Sequence, residues 1–291
     1  MINEAIYIVK YILGKDIAGR DFTVFPDDTF VVSYPRSGNT WTRFLIANLI
    51  RPNELVTLRN IERIVPDTHA LSKEFLKTIP RPRVLKSHQY FDPRYKRVIY
   101  LVRDPRDAAI SYYHFQRKYR DIEDHYPIDR YVTRFVAGNV SGFGSWAENA
   151  LSWLATRYSS PGFLLLRYED ILVQPAAALG KIAKLLGIEA TPERLAEAVE
   201  RSSVEKMRKL EETQGDNWVS TKGRRKDIPF IGRTAKTGGW KSELPQNSVA
   251  EIESAWGPLM KGLGYELTQC DCQALEPPYI AMEDWRQRHV G

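Results

Sequence analysis

A chain of 291 residues with 43% hydrophobic and 27% charged side chains has the balance of a folded globular protein rather than a disordered one, with apolar material for one sizeable core. Its 42 basic and 36 acidic side chains leave a formal charge of +6, which suits a polyanionic ligand but is too small an excess for a nucleic-acid coat. Cys270 and Cys272 make no disulfide framework and have no His or Cys partners at zinc spacing, so free thiols in a reducing, cytoplasmic setting are expected, with no metal site.

The first apolar run, Ala5 to Leu13, is interrupted by Lys10 and falls short of the ~20 residues a membrane span needs. It lacks the basic-then-apolar order of a signal peptide. Ile2, Ile6, Val9 and Leu13 recur at helical spacing and predict an amphipathic helix docked on the body. The sequence has no fixed-period repeat. A short β-rich run and then a helical pattern recur several times along it instead.

Phe30-Val31-Val32-Ser33-Tyr34 reads as a buried strand, and from Thr40 the residues Trp41, Phe44, Leu45 and Leu49 share one helical face. Val84-Leu85-Lys86 is a second strand, and the wholly apolar Val98-Ile99-Tyr100-Leu101-Val102 a third, covered on both faces. Asp104-Pro105 then places a good N-cap before a proline at the first helical position. Phe163-Leu164-Leu165-Leu166 is a fourth strand, followed by a helix from about Ala176 to Leu186 that stops at Gly187, and a last helix covers Ser248 to Leu263. Such alternation predicts a single α/β domain over 1–291, a central parallel sheet flanked by helices. Its core runs from about residue 28 to 265, with the N-terminal helix and C-terminal tail packed on it. Arg117 to Ser145 and Gln214 to Gly239 break the rhythm and are expected to be long excursions forming lids or binding loops.

The most informative segment is Tyr34-Pro35-Arg36-Ser37-Gly38-Asn39-Thr40-Trp41, which begins where a strand ends and closes where a helix starts. The first-turn amides of a helix lack partners within it, and the helix dipole places partial positive charge there. Gly38 permits close backbone approach, Ser37 and Thr40 add hydroxyls, and Arg36 adds a full charge, so the segment is a P-loop-like cradle for a phosphate or related anion. A Walker loop needs two glycines five apart and a Lys before Ser or Thr; here there is one glycine and Asn39 takes the lysine position, which disfavours an ordinary P-loop kinase.

This segment resembles the 5′-phosphosulfate-binding loop of the cytosolic-type sulfotransferase family, whose usual form is Tyr-Pro-Lys-Ser-Gly-Thr-Thr-Trp. Arg36 stands where the family most often has Lys, and Asn39 where it often has Thr. Arg keeps the charge but offers a planar fork instead of a point donor. The resemblance implies that Arg36, Ser37, Gly38, Asn39, Thr40 and Trp41 bind the sulfonate donor, 3′-phosphoadenosine 5′-phosphosulfate (PAPS); no metal is expected, because a sulfonate carries less charge than a triphosphate and fixed cations already face it.

Further matches come in family order, from about Val31 to Gly264. Arg103, at the third strand's C-terminal end, and Ser111, about two turns into the next helix, correspond to the 3′-phosphate motif; they can meet only if the strand-to-helix turn is tight. In Leu85-Lys86-Ser87-His88 the resemblance makes His88 the general base and Lys86 a supporting cation, and an imidazole that titrates near neutral pH suits that task. His114, on the helix carrying Ser111, is the weaker competitor. Arg233-Thr234-Ala235-Lys236-Thr237-Gly238-Gly239-Trp240-Lys241 resembles the loop that closes over the 3′-phosphate, with Ala235 in place of the family's first glycine. Tyr168 of the Tyr-Glu-Asp step and Ser202 of Ser202-Ser203-Val204 fall at nucleotide-contacting positions, although Val204 cannot stack on adenine where the family normally offers Phe. Gly144-Ser145-Trp146, with Asn149 where many members carry His, lies beside the implied acceptor pocket.

The expected partner is therefore a small-molecule or glycan acceptor with a hydroxyl, or an amine, and not a nucleic acid. Two other readings stay open from the residues: a P-loop-like nucleotide kinase or phosphotransferase using Asp104 or Asp170 for magnesium, and a non-catalytic nucleotide-binding protein.

Overall fold

The computed structural model describes residues 21–231 and 237–268. The expected N-terminal helix, Cys270 and Cys272 lie outside these residues, as do Arg233, Thr234 and Ala235. Among the described residues no helix is long and apolar enough to cross a membrane.

Four strands form one parallel sheet in the order β2-β1-β3-β4: β1 is Thr29–Ser33, β2 Val84–Ser87, β3 Arg97–Val102 and β4 Phe163–Arg167. All four fall where apolar runs predict them. Alternate side chains divide between two cores, because successive residues of a strand point to opposite faces. Phe30, Val32, Val98, Tyr100 and Val102 join one core, and Val31, Ile99 and Leu101 the other.

Helices cover both faces. In chain order they are α1 Asn39–Ile50, α2 Pro105–Tyr119, α3 Ile128–Val136, α4 Trp146–Arg157, α5 Tyr168–Val173, α6 Pro175–Leu186, α7 Pro192–Arg201, α8 Val204–Gln214 and α9 Gln246–Gly262, with short helices between some of them. Side chains of α2, α3, α4 and α9 fill the first core, and those of α1, α5, α6 and α7 the second. Local sequence sets several helix starts. Asp104 caps α2 by accepting from the Arg106 amide, with Pro105 at the first position. Ser145 and Glu148 form a reciprocal capping box for α4. Gly187 ends α6 in the left-handed region.

One expectation changes. The stretch from Arg117 to Ser145 is not all excursion: the end of α2 and all of α3 lie within it, and Tyr131, Val132 and Phe135 of α3 are buried in the first core. Three apolar anchors at helical spacing hold a helix there despite the charges around them.

Candidate active site

The sheet order reverses between β1 and β3, since the chain leaves β1 for β2 on one side and returns to β3 on the other. Ligands of open α/β sheets bind at the carboxyl ends of strands at such a point. A cavity of about 520 Å³ lies there, lined among others by Arg36, Gly38, Asn39, Thr40, Trp41, Lys86, His88, Arg103, Ser111 and Tyr168.

The β1–α1 turn is built on two left-handed residues, Arg36 (φ 68°) and Gly38 (φ 91°). At Gly38 a Cβ would lie 2.2 Å from Cδ2 of Tyr168, so both backbone and ring demand glycine. Gly38 also leaves α1 with no side-chain cap, and its first-turn amides face the cavity end unshared by any side chain. Ser37 is fully buried, and its Oγ has no hydrogen-bond partner among the described residues. Asn39 lines the cavity while its side chain is tied to the sheet. Its Nδ2 donates back to Val31 O (3.2 Å) and Ser33 Oγ (3.1 Å), tying the helix start to β1.

Arg36 turns toward α2: Nε donates to Ser111 Oγ (3.2 Å) and a terminal nitrogen to Phe230 O (3.0 Å), with the guanidinium over the rings of Phe115 and Phe230. Burial and the nearby Arg103 charge lower its pKa to about 10, which leaves it cationic at neutral pH. Arg103 donates to Arg36 O (3.0 Å) and lies over Tyr168. The turn from β3 into α2 is thus tight enough for Arg103 and Ser111 to line one wall, with Arg36 between them.

Tyr168 meets Trp41 edge-on at 6.2 Å, and Trp41 Nε1 donates to Ser202 O (2.9 Å). Ser202 itself is buried behind Trp41, its Oγ accepting from Asn48 and donating to Ala198 O. Of the glycine-rich loop, Gly238 and Trp240 are held by their amides, which donate to the two oxygens of Asp107 at 2.7 and 3.0 Å.

At the end of β2 stands His88. Its Nδ1 lies 2.7 Å from Ser33 O, and only an N–H can satisfy that carbonyl, so the Nδ1–H tautomer follows and Nε2 keeps its lone pair. Burial, followed by the Lys86 charge, holds the His88 pKa well below the ordinary histidine value, so the ring is neutral at pH 7. Asn149 fixes the backbone by donating to His88 O (3.0 Å) while accepting from the Tyr100 hydroxyl (2.9 Å). Lys86 pairs with Asp67 at 2.7 Å. His114 instead lies near Glu243 and Arg117 and does not line the cavity.

Sequence reasoning misses Asp67, His69, Phe143 and Arg224, all on the cavity wall. The His69 and His88 rings lie 5.9 Å apart and both pack against Phe143. Only a Pro-Asp-Thr-His run marks the first pair, while Phe143 and Arg224 fall in the two stretches expected to supply lids or binding loops but have no motif that singles them out.

A family model described as Sulfotransferase domain matches residues 26–264. Sulfotransferase 1A1 of Bos taurus is 30% identical over 271 residues, covering 87% of this chain and 90% of that one. The 3-beta-hydroxysteroid sulfotransferase of Cavia porcellus is 27% identical over 255 residues, covering 83% and 86%. Among solved structures, retinol dehydratase in complex with androsterone and inactive cofactor PAP shares the fold with a TM-score of 0.67 at 21% identity, covering 86% of this chain and 84% of that one. The family match runs from just before β1 to just past α9 and takes in every strand and turn that forms the cavity, so the chain belongs to the sulfotransferase family.

Proposed function

We propose that this chain transfers the sulfonate group of PAPS to a hydroxyl of a small-molecule or glycan acceptor, with His88 as the general base. One observation carries the reading: the loops after β1, β2 and β3 bring Arg36, His88 and Arg103 to a single cavity. The residues suit a ligand with two anionic ends. One end has the uncapped first turn of α1 and the Ser37 hydroxyl, the other Arg103 and Ser111; among the described residues neither Ser37 Oγ nor Arg103 Nε has a hydrogen-bond partner. Trp41 and Tyr168 stand between with aromatic surface for a base. The PAP in the retinol dehydratase complex supports the same donor here.

In this reading His88 Nε2 takes the acceptor's hydroxyl proton as the oxygen–sulfur bond forms. The bond from sulfur to the bridging oxygen breaks, and negative charge moves to the 5′-phosphate. Lys86 and the α1 amides stabilise that charge, whereas Arg36, expected from the sequence to share this role, donates to Ser111 and Phe230 O and faces the 3′ end; positioning with fixed electrostatics supplies most of the acceleration. The steroid named for the Cavia porcellus relative and the androsterone held by retinol dehydratase make hydroxylated small molecules the first acceptors to test.

The test is a labelled-sulfonate transfer screen from PAPS over mixed acceptors. His88→Ala should slow transfer by roughly 10²–10⁴-fold, the usual worth of a positioned base, and Arg36→Ala should also be slowed. Transfer undiminished in His88→Ala would remove the assigned base.

A further inference from the structure

Residues 66–68 form a strap along the edge of β2 that β1 does not occupy. Lys86 N donates to Pro66 O (2.8 Å), and the Thr68 amide and hydroxyl both donate to Lys86 O at 3.0 Å, so Asp67 pairs with Lys86 as an isolated parallel bridge. The strap is anchored from behind: the Asp67 amide donates to Glu62 (2.9 Å), which also pairs with Arg43 of α1 (2.8 Å) and accepts from Trp218 Nε1. Asp67 thereby reaches the cavity wall with both oxygens engaged. Oδ2 accepts from Lys86 Nζ (2.7 Å), and Oδ1 accepts from the His69 amide (2.9 Å). His69 Nε2 in turn accepts from the His88 amide (3.0 Å).

We propose that Asp67 is a positioning residue of this site: its carboxylate holds the Lys86 ammonium at the cavity wall and, through the His69 backbone, the loop that carries His88. This rests on the sulfonate-transfer reading. Lys86 and Asp67 are both buried, so neither would be held there as an ion without the other. Burial opposes ionisation of Asp67, but the Lys86 charge and, further off, that of Arg43 outweigh it and keep the carboxyl below its usual range. Burial likewise lowers Lys86, and Asp67 works against that shift. Lys86 pushes the His88 titration down and Asp67 pushes it up. The three groups therefore form one coupled unit, in which Asp67 touches no reacting atom.

Asp67→Asn keeps the shape but presents an amide that can satisfy Lys86 or the His69 amide, not both. In the full-length protein this variant should lower kcat by roughly ten- to a hundredfold, as expected for a small misplacement, with the KM for PAPS changed by no more than about twofold. In a Lys86→Met background the same change should have little further effect, because the ion it positions is gone. A second readout needs no turnover: the NMR titration of the His88 Cε1–H, assigned with His88→Gln, should move to lower pH in Asp67→Asn.

Equal losses from Asp67→Asn in the wild-type and Lys86→Met backgrounds would overturn the proposal, as would an unmoved His88 titration. If the wild-type protein transfers no sulfonate to any acceptor, the functional reading fails. The His88 titration then still decides whether Asp67 is coupled to the site.

Discussion

Gly38→Ala separates two demands that the β1–α1 turn makes at once. Gly38 has φ 91° and ψ 7°, where a Cβ costs ~1–2 kcal/mol. The new methyl would also lie 2.2 Å from Cδ2 and 2.7 Å from Cε2 of Tyr168, so the ring must move by roughly 1.5 Å to restore contact distance. Tyr168 is buried between Trp41 and Arg103, and overpacking such a place costs a further ~1–3 kcal/mol. The summed loss is ~2–5 kcal/mol in unfolding free energy, read from urea denaturation. The displaced ring also carries the nucleotide wall with it, so the Kd for 3′-phosphoadenosine 5′-phosphate (PAP), measured by calorimetry, should rise at least ~10-fold. Gly187→Ala is the control: φ is 70°, yet an added Cβ meets nothing within 4 Å. It should cost only the backbone term of ~1–2 kcal/mol and leave PAP affinity unchanged. If Gly38→Ala were no worse than Gly187→Ala and bound PAP within about twofold of wild type, the role given to the Tyr168 contact would be wrong.

Three other perturbations read different parts of the molecule. Neutral His88 is the active base and its pKa in the free protein lies below the ordinary 6.5, so kcat/KM should stay level down to that pH and fall only as pH drops through the lowered value; a midpoint above 6.5 contradicts the assignment. Asn149→Ala leaves the buried Tyr100 hydroxyl and His88 carbonyl without their partner, and should cost ~1–3 kcal/mol of stability together with a fall in kcat, measured by denaturation and transfer assays. Arg83→Met strands Asp28, which is fully buried and bonded to Arg83 through both oxygens at 2.8 and 2.5 Å; the loss should be ~3–5 kcal/mol in urea denaturation, with PAP binding per folded molecule unchanged.

The fold was legible because each strand is a short apolar run with both faces covered, and several flanking helices carry their own stop or start signal, such as Asp104-Pro105 and Gly187. Arg36, Gly38, Arg103 and His88 could be picked out because they sit at strand ends, where the chain order itself predicts a site. Side-chain direction was not legible. Asn39 lines the cavity but spends its side-chain amide on β1, and Ser202 hides behind Trp41, choices made by tertiary partners that no local pattern reveals. Asp67 and His69 escaped notice because the strap has neither strand pattern nor motif and gains its position only by lying along β2. Helix α3 was missed because its three buried anchors stand among charges that read as loop.

The most direct measurement is a crystal structure of the protein with PAP. The 5′-phosphate is expected against the Asn39 and Thr40 amides and the Ser37 hydroxyl, the 3′-phosphate beside Arg103 and Ser111, and His88 Nε2 toward the 5′ end. A nucleotide bound outside this cavity, or bound within it with the two phosphates exchanged, would contradict the proposed chemistry.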